Sequence, residues 1–300
     1  MTVFSQHFPY VLGTVQLGMP YGIQGVPQPS KEDAILIVDR AWKHQIREFD
    51  TAQDYADSEK ILGLAIDALE INDQALVSSK LSSNGNDSHQ AIEMSLDKSL
   101  SLLRIPRLHC LMLHNESMLD LWSSSFSKSF KIFKQQGKIR FSGVSVYSPQ
   151  RALQALETDG IDIIQLPTNI FDQRFEKTGI FKKAEQLSKQ IYIRSIFLQG
   201  LLLMKVEDIP IRMAYSIPEI VKLDKICNEI GLSRSELVIG YLKHAFPNVK
   251  LLFGVDSPDQ VVSNTSIYNA VTFTDELFEL VKNTFQDVDV NIINPTLWPH

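Results

Sequence analysis

Residues 46–50 (IREFD), 75–80 (ALVSSK) and 108–114 (LHCLMLH) are three short runs of strand character, and each ends on a side chain that can hold or move a proton. Asp50 closes the first, Lys80 the second and His114 the third, at intervals of about 30 residues, the length of one strand-helix unit. Amphipathic helical stretches, Ser58 to Leu69 and His89 to Leu103, fill the gaps. Regular alternation of this kind predicts an α/β protein built on a parallel sheet.

Working outward, the same signals give eight strand candidates: Tyr10–Val15, Ile46–Phe49, Leu76–Ser79, Cys110–Leu113, Phe141–Val146, Ile161–Leu166, Ile191–Ile196 and Lys250–Phe253. Most are near-continuous apolar runs, as expected of strands buried on both faces; Ile46–Phe49, which contains Arg47 and Glu48, fits least well. Helix starts are marked by Ser30 before Lys31–Lys43, Asp87 or Ser88 before His89, Ser148 before Pro149 and Ser257 before Pro258. Ser233 with Glu236 forms a capping box, so two helices separate the seventh and eighth strands. No linker interrupts the alternation, which predicts one (β/α)8 barrel domain over residues 1–300, with an extra helix Thr274–Phe285 and a tail to His300. No GxGxxG follows the first strand, so a dinucleotide-binding Rossmann fold is not indicated.

Composition narrows the function classes. The chain has 300 residues, 44% hydrophobic, with 29 Lys and Arg against 35 Asp and Glu. A net charge of −6 offers no footprint for nucleic acid or an anionic membrane, and neither partner is expected. Two cysteines, Cys110 in a predicted strand and Cys227 in a predicted helix, suit a reducing compartment and argue against a disulfide framework. The start, MTVFSQHFPYVLG, has no basic segment and no long apolar core, and no 18-residue apolar run occurs. A cytoplasmic protein, monomeric or weakly homo-oligomeric, is expected.

In a parallel barrel the loops after the strands carry function, and Asp50, Lys80 and His114 fall on that rim with Tyr55 in the loop after Asp50. A phenol has a free pKa of about 10 and needs a neighbouring cation to ionise easily. Lys80 supplies that charge, Asp50 holds Lys80, and a neutral His114 donates a hydrogen bond to a carbonyl oxygen also held by Tyr55. The set fits carbonyl activation with Tyr55 as general acid. Singly, each residue has a plain structural explanation: a helix cap, a solvated lysine, a core histidine. Together they describe an active site.

The sequence around them resembles the aldo-keto reductase superfamily. The resemblance rests on Phe49-Asp50-Thr51-Ala52 with Tyr55 and Ser58–Gly63 (SEKILG), Lys80 closing the third strand, and His114 after LHCLML. It extends to Gly137–Arg140 (GKIR), Gly143-Val144-Ser145, Gln165 and Asn169 in IIQLPTNIFDQR, Gln199–Leu202 (QGLL) and Phe253–Ser257 (FGVDS) with Gln260 and Asn264. It implies a (β/α)8 barrel that reduces an aldehyde or ketone to an alcohol with NADPH or NADH and without a metal. By the same resemblance Asp50, Tyr55, Lys80 and His114 are the catalytic tetrad. Cofactor contacts are implied at Ser145, Gln165, Arg194, Gln199, Gly200, Leu201, Gly254, Asp256, Ser257, Gln260 and Asn264.

The sequence also departs from the family pattern. Val146 stands where an Asn usually follows the strand-five Ser, Arg194 stands where many members stack an aromatic ring, and His109 replaces a common Asp on the lower face. The N-terminal hairpin that usually plugs the barrel floor looks shortened. Phe253 to Asn264 contains no Lys or Arg, and Asp256 lies where a cation would meet a 2′-phosphate, so the phosphorylated cofactor is disfavoured. Rim positions Met19, Tyr21, Gln53, Asn115, Phe171 and Arg174, with Trp298 in the tail, are the expected substrate pocket, and their mixed polarity suits a hydroxylated or sugar-derived carbonyl. Two other classes compete with this reading. A regulatory subunit of the same fold would keep the cofactor as a sensor, and a metal-dependent hydrolase would need ligands on several rims, where only His114 of seven histidines stands.

Overall fold

Each apolar run becomes one stave of a closed barrel. The computed structural model describes residues 9–82 and 87–299, so the expectation of a shortened N-terminal hairpin lies outside the described residues. Within them, eight parallel strands pair in chain order and close, with Tyr10 of the first opposite Leu251 of the eighth. They are β1 (Tyr10–Gly13), β2 (Glu48–Asp50), β3 (Leu76–Leu81), β4 (Leu108–Leu113), β5 (Ile139–Ser145), β6 (Ile163–Pro167), β7 (Gln190–Arg194) and β8 (Lys250–Gly254).

Around them run α1 (Val15–Gly18), α2 (Lys31–Lys43), α3 (Ser58–Ala68), α4 (His89–Leu103), α5 (Ser127–Gln135), α6 (Pro149–Glu157), α7 (Ile180–Gln186), α8 (Ile217–Ile230) and α9 (Arg234–Ala245). Helices α10 (Pro258–Ala270), α11 (Asp275–Thr284) and α12 (Val290–Ile293) complete the described chain. None is long and apolar enough to cross a membrane.

The helix starts follow their caps. Side chains of Ser30, Ser88, Ser148, Ser257 and Thr274 each accept a hydrogen bond from the backbone N–H three residues on, and Ser233 with Glu236 closes a capping box. Strand ends deviate from expectation where the backbone turns. β1 stops at Gly13 because Thr14 leaves the extended region and opens α1. β7 stops at Arg194 because Ser195 takes a left-handed φ of 58°. β3 runs through Lys80 to Leu81, so the lysine is held inside a strand and not on a loop.

Strand alternation divides the core in two. Leu12, Leu111, Ile164, Ile193 and Leu251 face the helices, whereas Val11, Cys110, Met112, Phe141, Ile163, Tyr192 and Leu252 form a separate cluster inside the barrel. Glu48 lies in this interior as well. It accepts from the Tyr192 hydroxyl at 2.6 Å and from the Lys250 ammonium, and all three side chains are buried. This explains the charged letters that made the second strand hard to read: Glu48 is paired inward, while Arg47 stacks outside on the Trp42 ring at 3.9 Å.

On the lower face His109, at the start of β4, is 9% exposed, and its Nδ1 has no hydrogen-bond partner. Burial, with Lys250, Arg140 and Arg107 nearby, lowers its pKa from 6.5 to about 3. The unfolded chain then binds the proton more readily than the folded one. The resulting stability is full above pH 6.5 and is lost as pH falls below that value. Between pH 7 and pH 5 the wild type should therefore lose about 2 kcal/mol more unfolding free energy than His109→Phe. Urea titrations at the two pH values test this, and parallel losses would show that His109 is not the titrating group.

Candidate active site

The mouth of the barrel is organised by one buried ion pair. Lys80 Nζ lies 2.5 Å from Asp50 Oδ2 and donates to the Thr51 carbonyl at 2.9 Å; the two side chains are 1% and 3% exposed. The other Asp50 oxygen accepts from Gln165 Nε2 at 2.8 Å, which ties β2 to β3 and, across the barrel, to β6. Ser145, the last residue of β5, pairs with Gln165 in register.

Tyr55 is set above this pair by a loop that has little freedom. Thr51 Oγ1 and Ser58 Oγ are 2.9 Å apart, Ser58 Oγ donates to the Thr14 carbonyl at 2.7 Å, and the Ser58 N–H donates to the Tyr55 carbonyl at 2.9 Å. α1 packs directly on this loop: a Cβ on Gly18 would stand 2.0 Å from the Tyr55 carbonyl oxygen, which only glycine avoids. Gln53, expected in the pocket, instead fastens the loop to α4 through Ser95 and Ser99.

Lys80 Nζ is 4.9 Å from the centroid of the half-buried Tyr55 ring, and the His114 ring meets that ring edge-on at 5.6 Å. Asp50, Tyr55, Lys80 and His114 are thus brought together. Burial, followed by the Asp50 carboxylate, pushes the Tyr55 phenol above its ordinary pKa, and Arg194 opposes that rise. Lys80 itself is paired with Asp50.

His114 Nδ1 lies 2.9 Å from Asp54 Oδ2, and burial, followed by Lys80, holds its pKa below the usual value.

Three residues missed in the sequence complete the mouth. Asp54 holds His114; Tyr147 lies under the Arg194 guanidinium at 4.2 Å; Gln16 lies against Gly254, where any Cβ would come within 2.3 Å of its amide. Asp54 and Tyr147 had a positional signal, one residue before Tyr55 and two residues after β5. Gln16 had none. Tyr21 joins them, its phenol pushed up to about 12 by burial and by Tyr55.

The loop after β7 is wound tightly, with Ser195, Leu198, Gln199 and Gly200 all at positive φ, and the Gln199 carbonyl accepts from Ile23 N–H at 3.0 Å. This latches it to the loop after β1, beside Leu201. After β8, Ser257 caps α10 and Gln260 Oε1 accepts from the Asp256 N–H at 2.8 Å, so these two polar groups already serve the turn. Asp256, just before the cap of α10, is exposed, and Asn264 within α10 is buried.

Several expected pocket residues have other work. Phe171 is 2% exposed and packs on Phe285 at 4.8 Å, and Trp298 donates its indole N–H to Ile292 at 3.0 Å within the tail. Both are core residues because each is a large apolar body with a packing partner close in space. Arg174 is paired at two points with Asp172, and Asn115 caps the short helix after β4. Met19 and Tyr21 remain half-buried on the first loop. Among the described residues no three metal-binding side chains gather.

The profile of the Aldo/keto reductase family matches residues 9–284. The chain belongs to this family. This aldo-keto reductase is 25% identical over 279 residues to the "Uncharacterized oxidoreductase YqkF" of Bacillus subtilis (strain 168), covering 86% of this chain and 90% of that one. Its fold matches "aldo-keto reductase AKR11C1 from Bacillus halodurans (holo form)", with a TM-score of 0.77, 20% identity and 95% of each chain covered. It also matches "glycerol dehydrogenase AKR11B4 from Gluconobacter oxydans", with a TM-score of 0.73, 22% identity and 97% and 95% of the two chains covered. Membership makes the protein an oxidoreductase of the carbonyl-reducing kind, a family that uses nicotinamide cofactors.

The buried pair gives a direct test of this geometry. Lys80→Met strands the Asp50 carboxylate and should cost about 3 to 5 kcal/mol of stability, whereas Lys80→Met combined with Asp50→Leu should recover most of it. Equal denaturation midpoints for the single and double variants would contradict the pairing.

Proposed function

We propose that this protein is an NAD(P)H-dependent reductase that converts an aldehyde or ketone to an alcohol, with Tyr55 as general acid and residues 1–300 acting as one domain. The observation that carries the reading is the half-buried Tyr55 phenol standing over the Lys80–Asp50 pair at the mouth of the barrel. The reduced nicotinamide, when bound, supplies the hydride taken up by the carbonyl carbon.

The remaining chemistry belongs to the chain. Because its pKa is raised, Tyr55 keeps its proton until negative charge develops on the carbonyl oxygen, and then donates it. Lys80 and Asp50 act on that event as a fixed dipole, aligned in advance by Gln165 and the Thr51 carbonyl. The phenolate regains its proton from water at the open rim.

The residues present suit a dinucleotide. Gln16 Oε1 is buried without a partner beside Gly254, a polar atom left for a donor on a bound molecule. The first turn of α10, with Ser257, offers backbone N–H groups to a phosphate, and Ser145, in register with Gln165 at the end of β5, is the residue we assign to the nicotinamide end. Among the described residues Arg194 bonds to neutral oxygens, Val146 O and Ser195 Oγ, both at 3.3 Å, which suits it to an anionic group on a cofactor or substrate. The adenosine end is assigned to Ser257, Gln260, Asn264 and Asp256, with Gln260 keeping its amide N–H groups while its Oε1 accepts from the Asp256 N–H.

A panel of aldehydes and ketones assayed by NADH and NADPH oxidation tests the function directly. Tyr55→Phe should reduce turnover roughly 10²- to 10⁴-fold while cofactor affinity stays nearly constant. A parallel loss of cofactor binding would point to a packing role instead.

The same assay addresses the 2′ position. If Asp256 faces it, Asp256→Arg should move the NADPH to NADH affinity ratio upward by roughly 10-fold at low salt and less at high salt. A ratio unchanged at both salt concentrations would place Asp256 away from the cofactor.

A further inference from the structure

The floor of the barrel, where the strands begin, holds a group of charged and titratable side chains that the reduction does not use. Arg107 stands just before β4, His109 one residue inside it, Arg140 one residue inside β5 and Asp73 in the turn before β3. They line a pocket of about 350 Å³, part of it open to solvent. In the pairing of β4 with β5, Leu108 lies opposite Ile139 and Cys110 opposite Phe141, which sets His109 beside Arg140.

The charges here are not balanced. Among the described residues neither guanidinium makes an ion pair or a hydrogen bond, and Arg140 only leans on the Phe141 ring, 5.1 Å from its centroid. His109 meets the same ring edge-on at 5.1 Å, and its buried Nδ1 has no hydrogen-bond partner, a need that folded interiors seldom leave unmet. The charged groups that bear on His109 are Lys250, Arg140 and Arg107, all of them cations. Lys250 is matched by Glu48 in the lumen. The two arginines have no such match, since Asp73, the one carboxylate lining the pocket, pairs with neither.

We propose that this pocket is an anion site for a phosphate group, whose oxygens accept from Arg107 and Arg140 with His109 behind them. Two guanidinium forks on neighbouring segments suit a tetrahedral oxyanion, with several acceptor oxygens, better than a spherical ion such as chloride. Hydrogen phosphate also carries a hydroxyl, so it can satisfy a neutral imidazole in either tautomer. The pocket lies at the end of the barrel away from Tyr55, and a ligand held there does not compete with a cofactor at the mouth.

Histidine-labelled full chain, titrated with inorganic phosphate at pH 7 and at an ionic strength kept constant with chloride, tests the site by the NMR signal of His109. The signal should move saturably, with a Kd on the order of 1 mM. Arg107→Ala and Arg140→Ala, both at exposed positions, should each weaken phosphate roughly 10-fold. Saturating NADH should leave the titration unchanged. Glycerol phosphate separates the two sources of the group: tighter binding than the free ion assigns the pocket to a phosphate ester, and weaker binding assigns it to phosphate itself.

A His109 signal that responds to phosphate no more than to chloride would overturn the proposal. So would full affinity in both arginine variants, or a response that NADH abolishes, which would place the anion at the first turn of α10 instead. The readout is His109 and not turnover, so the result is independent of the reductase reading.

Discussion

A lysine and an aspartate buried together in a barrel of aliphatic side chains are the constraint around which this molecule is arranged. Removing two charges from water is costly, and their attraction offsets that cost only when geometry and additional hydrogen bonds are good. Lys80 finds Asp50 and the Thr51 carbonyl, and Asp50 finds Gln165 as well. These contacts join β2, β3 and β6, so the pair that orders the mouth also fixes which strands face one another across it. Pairing has an electrostatic consequence too: a lysine matched by its own aspartate presents a dipole and not a free charge, and the phenol above it is held above its ordinary pKa by burial and by that aspartate.

The barrel was legible because its signals are local. Apolar runs, Ser caps and a Pro at the first helical position are each decided within a few residues, and all eight strands and the capped helix starts were found on them. Strand ends were less legible, since they depend on single dihedrals such as that of Ser195. Residues whose role depends on a distant partner were read poorly. Phe171 owes its burial to Phe285, and Gln53 owes its position to Ser95 and Ser99. Arg194 was marked by its departure from a pattern, but its stacking on Tyr147 required β5 and β7 in their final positions. Asp54 is marked only by standing next to Tyr55, and nothing in the sequence marks Gln16.

The same distinction applies to acid-base chemistry. Sequence spacing brings a phenol, an ammonium and an imidazole to one rim, yet the protonation of each is set by groups elsewhere: Asp50 and Arg194 for Tyr55, Asp54 and Lys80 for His114. Which residues take part is local information, and what each can donate or accept is not.

β2 also acts as a device for keeping register. It is only three residues long, Glu48-Phe49-Asp50, and both carboxylates point into the barrel to meet lysines from different strands while Phe49 points out to the helices. A slip of one residue would reverse all three, placing two charges among aliphatic side chains and an aromatic ring in a lumen already filled. So short a strand has few hydrogen bonds with which to specify its alignment. Its two acids supply that information twice over, making the misaligned barrel far less stable than the aligned one.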